Sequence, residues 1–454
     1  YKQLFHKKNR QLIATFRFGL IQYEGTGNLY STTNFYRNNA LDSVDVIDQL
    51  KINDGKSTTF GTKITYNEPL NDKWNIVTEY SFNKNISESH RNSYEKDVDG
   101  KYTTLNQVFS NNFDLDAVSN AGTLTARYVS KKLRFGFGSG IYAIRLHMNN
   151  LDLNNRTNYN FTGFTPQAQI AYNPNQQMGV SFSYRGNTVQ PTISQLQPLP
   201  NNNDPLNVYI GNPNLKVGFR HNLNLNFNDY KVMSGKYIFV NFGITFSDNA
   251  VTNFSQVDSF GKRTYLPVNV DGNHSWYMWS VWNSGQGDKK LIHEISPEAS
   301  GGRMVNYLNG QENINTYAEL SVRYNLRYSV QEKYNFRIGP GATRNLSKSS
   351  LRPDTDNNYW LFSIRTEAWV KLPAAFEITT DADMSFRQKT EAFNDKVNII
   401  VWNAELSKKI LKDKSLKLAV VAHDILNQNI GFNRTINSNF ISEERFDRLA
   451  RYFL

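Results

Sequence analysis

Two neighbouring segments late in this 454-residue chain hold the residue types best suited to acid–base chemistry. Glu367 lies between Arg365 and Lys371, and Glu377, Asp381 and Asp383 precede Arg387. Carboxylates held close together could serve as a general acid and base. Here they alternate with cations, so the pattern reads as a solvated ion-pair lining. The other candidate chemistries fail on spacing. Gly138-Ser139-Gly140-Ile141-Tyr142-Ala143 fits a relaxed dinucleotide fingerprint, which needs a following helix whose N-terminus meets the pyrophosphate. It sits instead in an alternating run, 133–145, with Gly136, Gly138 and Gly140 on one face, where small residues leave room for something packed against them. Asp97-Val98-Asp99-Gly100 lacks the spacing and terminal Glu of a calcium loop and reads as a turn. His293-Glu294 has no second His, and the 7 His are dispersed without a ligand pair. With 0 Cys, disulfides and thiolate metal sites are ruled out. No catalytic, cofactor-binding or metal site is assigned, and the chain is read as a non-enzyme.

The elements that position these side chains are strands. In Tyr359–Lys371, Trp360, Phe362, Ile364, Ala368 and Val370 share one face, while Ser363, Arg365, Glu367 and Lys371 share the other. Residues 375–387 repeat this, with Phe376, Ile378, Ala382, Met384 and Phe386 opposing Glu377, Asp381, Asp383 and Arg387. Leu320, Val322, Tyr324, Leu326 and Tyr328 alternate with polar residues, and from Asn222 to Asn228 every second residue is Asn. Soluble sandwiches and propellers use strands of about 5–6 residues, whereas a tilted membrane strand needs about 9–11. The length of these runs predicts an all-β, transmembrane antiparallel β-barrel. Arg or Lys facing lipid costs about 2–4 kcal/mol near the midplane, so the polar faces, including Arg365, Glu367, Glu377, Asp381, Asp383 and Arg387, are expected to line the lumen.

The connections alternate in length, as barrel connections do. Tight turns read at 67–72, 130–132, 173–177, 331–335, 371–375 and 411–417, and are assigned to the periplasmic side. Long polar stretches read at 83–114, 148–162, 187–218 and 345–358, and are assigned to the cell exterior. About 18 or 19 strands are expected, against the roughly 22 of plugged outer-membrane transporters. An open edge in lipid would leave backbone groups unpaired at several kcal/mol each. Two further hairpins are therefore expected upstream of Tyr1.

Composition agrees. Only 39% of residues are hydrophobic, 13% are aromatic, and the mean hydropathy is −0.58. No run approaches the ~18 apolar residues of a transmembrane helix, but barrel strands average their two faces away. The net charge of +11 is scattered along the chain with no accompanying motif, which argues against nucleic acid as a partner. No signal peptide opens the chain.

The most specific segment is Pro191-Thr192-Ile193-Ser194-Gln195-Leu196-Gln197-Pro198, followed by Gly211-Asn212-Pro213-Asn214-Leu215-Lys216. It leaves one strand, turns on Gly, Asn and Pro, and enters the next. Pro191, Gln195, Leu196, Gly211, Asn212, Pro213, Asn214 and Leu215 carry the resemblance: the segment resembles the signature of TonB-dependent outer-membrane receptors of the Bacteroidetes-type β-barrel family. Thr65-Tyr66-Asn67-Glu68-Pro69-Leu70, Ser347 to Pro353, Arg387 to Asn394, Asp424 to Asn429, Gly431 to Thr435 and Arg451-Tyr452-Phe453-Leu454 match in the same order. Where the family continues with Pro-Glu, this chain has Val217-Gly218. The resemblance implies a Gram-negative outer-membrane receptor or transporter barrel for a scarce solute such as a siderophore, glycan or peptide. Its implied partners are lipid and lipopolysaccharide, the TonB system through a plug and TonB box lying N-terminal to the barrel, and a surface lipoprotein or other outer-membrane subunit. The competing readings are a non-transporting barrel subunit of a larger complex and a passive porin-like channel. Solute contacts are expected from 83–114 and 187–218. No cofactor is implied.

Overall fold

The computed structural model describes residues 1–454 except 38, 198–203, 205, 260, 286–289, 331, 355–356, 392, 394–396, 412–414, 430 and 437–440. Pro198, Gln331, Ala392 and Asn394, quoted above, lie outside the described residues, as does part of the 411–417 turn.

The alternating runs become strands in chain order: β1 (Lys2–Leu4), β2 (Gln11–Arg37), β3 (Ala40–Pro69), β4 (Trp74–Lys96), β5 (Tyr102–Leu105), β6 (Asn111–Val129), β7 (Leu133–Asn150), β8 (Asn155–Phe164) and β9 (Gln167–Tyr172). Then follow β10 (Met178–Val189), the one-turn helix α1 (Ile193–Leu196), β11 (Asn207–Tyr209), β12 (Gly218–Lys231), β13 (Lys236–Asp248), β14 (Ala250–Val257), β15 (Arg263–Val270), β16 (Asn273–Asn283) and β17 (Leu291–Leu308). The last third holds β18 (Gln311–Val330), β19 (Tyr334–Ser349), β20 (Tyr359–Lys371), β21 (Phe376–Arg387), β22 (Val397–Ile410), β23 (Leu416–His423), β24 (Gly431–Ile436), β25 (Ile441–Phe446) and β26 (Tyr452–Phe453).

Each long strand pairs antiparallel with its neighbour, so the wall runs β2-β3-β4-β6-β7-β9-β10-β12-β13-β16-β17-β18-β19-β20-β21-β22-β23, with β8 continuing the line of β9 along β7 across Thr165-Pro166. Among the described residues that is seventeen long wall strands, and β1 on the β2 edge with β26 on the β23 edge bring the sheet to nineteen positions, in line with the 18 or 19 expected. Between 247 and 304 two strand-like runs, β14 and β15, stand at the loop end as a hairpin and add nothing to the wall. An odd number of alternating strands leaves β2 and β23 pointing the same way, so they cannot close on each other antiparallel. β1 covers Gln11–Ile13 of the β2 edge, and β26 covers Ala422 and His423 of β23.

Register sorts the side chains. One face carries a continuous apolar belt, in which Ile170, Phe182, Leu225, Phe242, Met278, Ala299 and Leu320 stand opposite one another from strand to strand. Phe16, Phe18 and Phe362 on that face are at least half exposed, which a water-soluble surface would not sustain over such an area. Charges bound the belt. On β3 the outward residues Thr58, Phe60, Thr62, Ile64 and Tyr66 lie between Lys56 and Glu68; on β4 Trp74, Ile76, Thr78, Tyr80 and Phe82 precede Lys84. These intervals match the about 9–11 residues that cross a bilayer on the tilt. Aromatic rings mark the rims, as in the contact of Trp74 with Tyr128 and Phe135, both at 5.3 Å between centroids. At the turn end Glu68 accepts from Arg10 at 2.7 Å and Lys7 at 2.8 Å.

The tight turns that the sequence marks lie at one end of the wall and the longest connections at the other, where β2–β3 and β17–β18 nevertheless turn tightly. The sequence reading placed six of the tight turns; it missed the Lys231–Lys236 turn between β12 and β13. Two of its long loops are corrected. Most of 83–114 is the upper parts of β4 and β6, and most of 148–162 is β7 and β8 joined by four residues: β4 continues past the belt with polar side chains on both faces, while β6, β7 and β8 turn apolar residues such as Leu115, Leu146, Met148 and Phe161 inward, the reverse of the belt's pattern. The first long strand likewise runs past the belt, to Arg37.

Candidate functional site

At the loop end the chain leaves β10 and folds back over the inner face of β6–β8. Gly136, Gly138 and Gly140 begin this face near the turn end; further along, the same parity of β7 turns apolar at Ile144, Leu146 and Met148. These, with Leu115 and Phe161, form a platform. Helix α1 seats Leu196 on it at 1% exposure, and Leu215 joins from the far side of the loop. The helix is short enough to depend on its caps. Thr192 accepts from the Gln195 amide at 3.3 Å, and the Gln195 side chain accepts from the Thr192 amide at 2.9 Å, a reciprocal capping box.

The signature residues divide by role. The Asn212 amide donates to the Gln195 carbonyl at 2.6 Å, its side chain donates to the Pro267 carbonyl at 3.0 Å and accepts from the Asn214 amide at 3.0 Å. That fastens both limbs of the loop to each other and to β15. Gly211 lies against Gln197, where an added Cβ would meet the Gln197 carbonyl oxygen at 2.0 Å, so only glycine permits the approach. Pro191 is buried beside the helix, whereas Pro213 and Asn214 are exposed on the turn. Val217 packs against the platform, and a Cβ on Gly218 would stand 2.8 Å from the Asn249 carbonyl oxygen. This accounts for the departure from Pro-Glu. The sequence reading missed the platform itself and two further fasteners. Gln197 is buried and accepts from Asn111 at 3.2 Å, and Asn269 brackets Lys216, accepting at 2.8 Å and donating at 3.0 Å. The apolar switch at Ile144, Leu146 and Met148 on an otherwise small-residue face was the available signal.

The six charged candidates share the inner face of β20 and β21. Arg365 and Asp383 stand directly opposite and pair at 2.6 Å; Glu367 reaches Arg337 at 3.4 Å; Glu377 takes Lys409 at 2.7 Å. Asp381 accepts from Asn403 at 2.9 Å, and Arg387 lies over the Tyr359 ring at 4.1 Å. Arg365, Glu367, Asp381 and Asp383 thus meet as two adjacent cross-strand pairs, each carboxylate with its own partner, while Glu377 and Arg387 stand apart toward the two ends of the strands. Further round the wall the alternate asparagines of β12 form a ladder, Asn226 to Asn224 at 2.5 Å and Asn224 to Tyr277 at 2.9 Å. Space beside Gly138 and Gly140 is filled by the wall itself: Thr125 and Thr165 hydroxyls lie 2.7 and 2.6 Å from where a Cβ would stand. Among the described residues no three His, Asp or Glu side chains converge on a metal position.

Beyond the belt, Asp48 accepts from Lys96 and Tyr102, each at 2.5 Å. Lys96 first, then Tyr102, holds the Asp48 carboxyl below its usual range. In the turn that follows, Asp97 is lowered chiefly by the Thr103 hydroxyl and then by the Lys101 amide.

Among solved structures, FpvA of Pseudomonas aeruginosa bound to pyoverdine is similar over 89% of this chain and 54% of its own, at 11% identity and a TM-score of 0.48. The ferric-catecholate import receptor Fiu of Escherichia coli, in its closed form, is similar over 97% and 80%, at 10% identity and 0.39; the RagAB peptide importer over 92% and 66%, at 9% and 0.40. The chain therefore spans about half the length of FpvA. No curated protein matches the sequence. Residues 3–454 match the outer membrane protein beta-barrel family, and the chain belongs to that family, whose place is the outer membrane of Gram-negative bacteria.

Proposed function

We propose that this wall belongs to a TonB-dependent importer of a scarce solute, a siderophore, glycan, peptide or similar cargo, with the loop end outside the cell. The observation that carries the reading is the inner face. It is polar and charged over the height of the belt, and at the loop end it holds the signature loop folded inward on a buried apolar anchor. A bilayer-spanning wall with such a lining offers a water-compatible path, and an anchored loop offers a fixed surface for recognition at its mouth. Segments 83–114 and 187–218 are the proposed solute contacts, and Arg365, Glu367, Glu377, Asp381, Asp383 and Arg387 the proposed lining.

Coupling to the TonB system would require a plug that is pulled aside, proposed to lie N-terminal to this barrel with the strands that complete it. The uncovered length of the β2 edge supports this, since hydrocarbon tolerates no unpaired backbone. A surface lipoprotein or second outer-membrane subunit remains a proposed partner. The test is uptake in the native bacterium with and without the intact gene. Loss of uptake on deletion, together with its arrest by a protonophore, is the expected result. Flux that survives the protonophore would mean a porin, and unchanged uptake with a stably co-purifying partner would mean a structural subunit.

A further inference from the structure

On the inner face of β17–β19, close to the turn end, is a cavity of about 330 Å³ remote from the signature loop. It is lined chiefly by Tyr237, Asn283, Glu294, Asn325, Arg327 and Arg337. Register places Arg327 directly opposite Arg337. Like charges so placed on paired strands destabilise the pair, and the arrangement calls for an anion between them. The wall supplies it only in part. Glu294 is occupied by three neutral donors, the Tyr237 hydroxyl at 3.0 Å, Asn325 at 3.0 Å and Asn283 at 3.1 Å. Arg337 makes only long contacts, 3.4 Å to Glu367 and 3.5 Å to Asn325. Among the described residues Arg327 has no hydrogen-bond or ion-pair partner, and neither does Arg323, four residues away on the same face of β18.

The cavity is also kept open. A Cβ on Gly339 would lie 2.5 Å from the side-chain oxygen of Asn325, which is 7% exposed, so a larger residue would displace the amide that holds Glu294. We propose that this cavity binds a small carboxylate that bears a neighbouring hydroxyl or amine. The carboxylate sits between the Arg327 and Arg337 forks, whose planar donors match it two bonds at a time. Glu294 faces the same space and repels a bare anion, but it accepts from a hydroxyl or amine beside the charge, and this selects hydroxy and amino acids over plain dicarboxylates. The site rests on the lumen being reachable by solute, as in the transport reading. Its test is equilibrium binding without TonB, so failure here leaves the uptake experiment untouched, and the reverse.

The probes are malate and succinate, titrated calorimetrically at low ionic strength into the intact protein in nanodiscs, with folding checked by heat-modifiable electrophoretic mobility. Malate should bind more tightly than succinate. R327Q and R337Q should each weaken malate about tenfold or more, as expected for loss of a charged hydrogen-bonding partner, while K417Q, on the same inner face but four strands away on β23, leaves it unchanged. E294Q should abolish the preference for malate. Should R327Q fail to fold, R327K, which keeps the charge and loses the fork, should still weaken malate several-fold. Equal malate affinity in wild type, R327Q and R337Q would overturn the proposal. So would failure of malate to bind the wild type while R327Q and R337Q lower its melting temperature, the result expected if an acidic side chain of polypeptide inside the lumen fills the cavity.

Discussion

The membrane belt of β20–β22 and the tall hairpins of β2–β4 are built from the same paired strands, yet they obey different rules. In the belt the two faces meet different solvents. Ile364 opposes Met384 on one face and Arg365 opposes Asp383 on the other, and the strands stop within 12 to 14 residues. Strands β2 and β3 run for 27 and 30 residues, well past the charges at Lys56 and Lys84 that end the belt. Above that line both faces meet water, so alternation is lost. The backbone nevertheless stays extended because the neighbouring strand pairs with it, and side chains add cross-strand bonds, Ser57 to Asn85 and Ser87 at 2.9 Å and Tyr23 to Ser89 at 3.1 Å. Burial against lipid fixes the belt, whereas cross-strand polar pairs and one small apolar anchor fix the head.

The comparison can be broken most severely at that anchor. Leu196→Ala removes the most buried side chain of the platform cluster and should cost the loop about 2–5 kcal/mol, the range for buried Leu truncation. Proteolysis or hydrogen exchange should show the signature loop released with the belt unchanged. A belt that unfolds with it would mean that the two regions are one cooperative unit. In the belt, Ile364→Arg should cost about 2–4 kcal/mol in a reversible folding titration into lipid, and Ser363→Arg, one residue away on the inner face, far less. Similar costs at the two positions would remove the distinction between faces.

Smaller effects sharpen the picture. Thr192→Ala removes half of the capping box and should cost about 0.5–2 kcal/mol, read as faster exchange at the Gln195 amide. Arg365→Ala breaks an ion pair whose partners are both half exposed to water, and an effect under about 1 kcal/mol is expected. The smallest is set by pH. Asp48 and Asp97 are depressed in the folded head, so their contribution is present above the ordinary Asp range and is lost only as pH falls through the lowered values. Proteolytic sensitivity of the 97–105 turn should therefore rise only in acid below the normal Asp pKa. A rise near neutrality would point to another group.

The same contrast explains what the sequence could reveal. Tyr359–Lys371 was legible to the residue because Trp360, Phe362 and Ile364 must face lipid while Arg365 and Glu367 cannot. Residues 83–96 were read as loop because His90, Ser93 and Glu95 give no facial bias, although the backbone continues as strand. In the signature loop the motif marked Leu196, Asn212 and Leu215, but Leu115, Met148 and Asn269 come from distant positions and were joined to it only by folding. The opposed arginines Arg327 and Arg337 were invisible for a similar reason. Their meeting depends on the β18–β19 register, which sequence spacing alone does not set.

The central claim is that one face of this sheet meets lipid and the other an aqueous lumen. It is tested most directly by single cysteines, absent from the native chain, at Ser363 and Asp383 against Phe362 and Ile378, labelled with a water-soluble maleimide in intact outer membranes. The account predicts fast labelling at Ser363→Cys and Asp383→Cys and slow labelling at Phe362→Cys and Ile378→Cys. Equal rates at all four positions would contradict it.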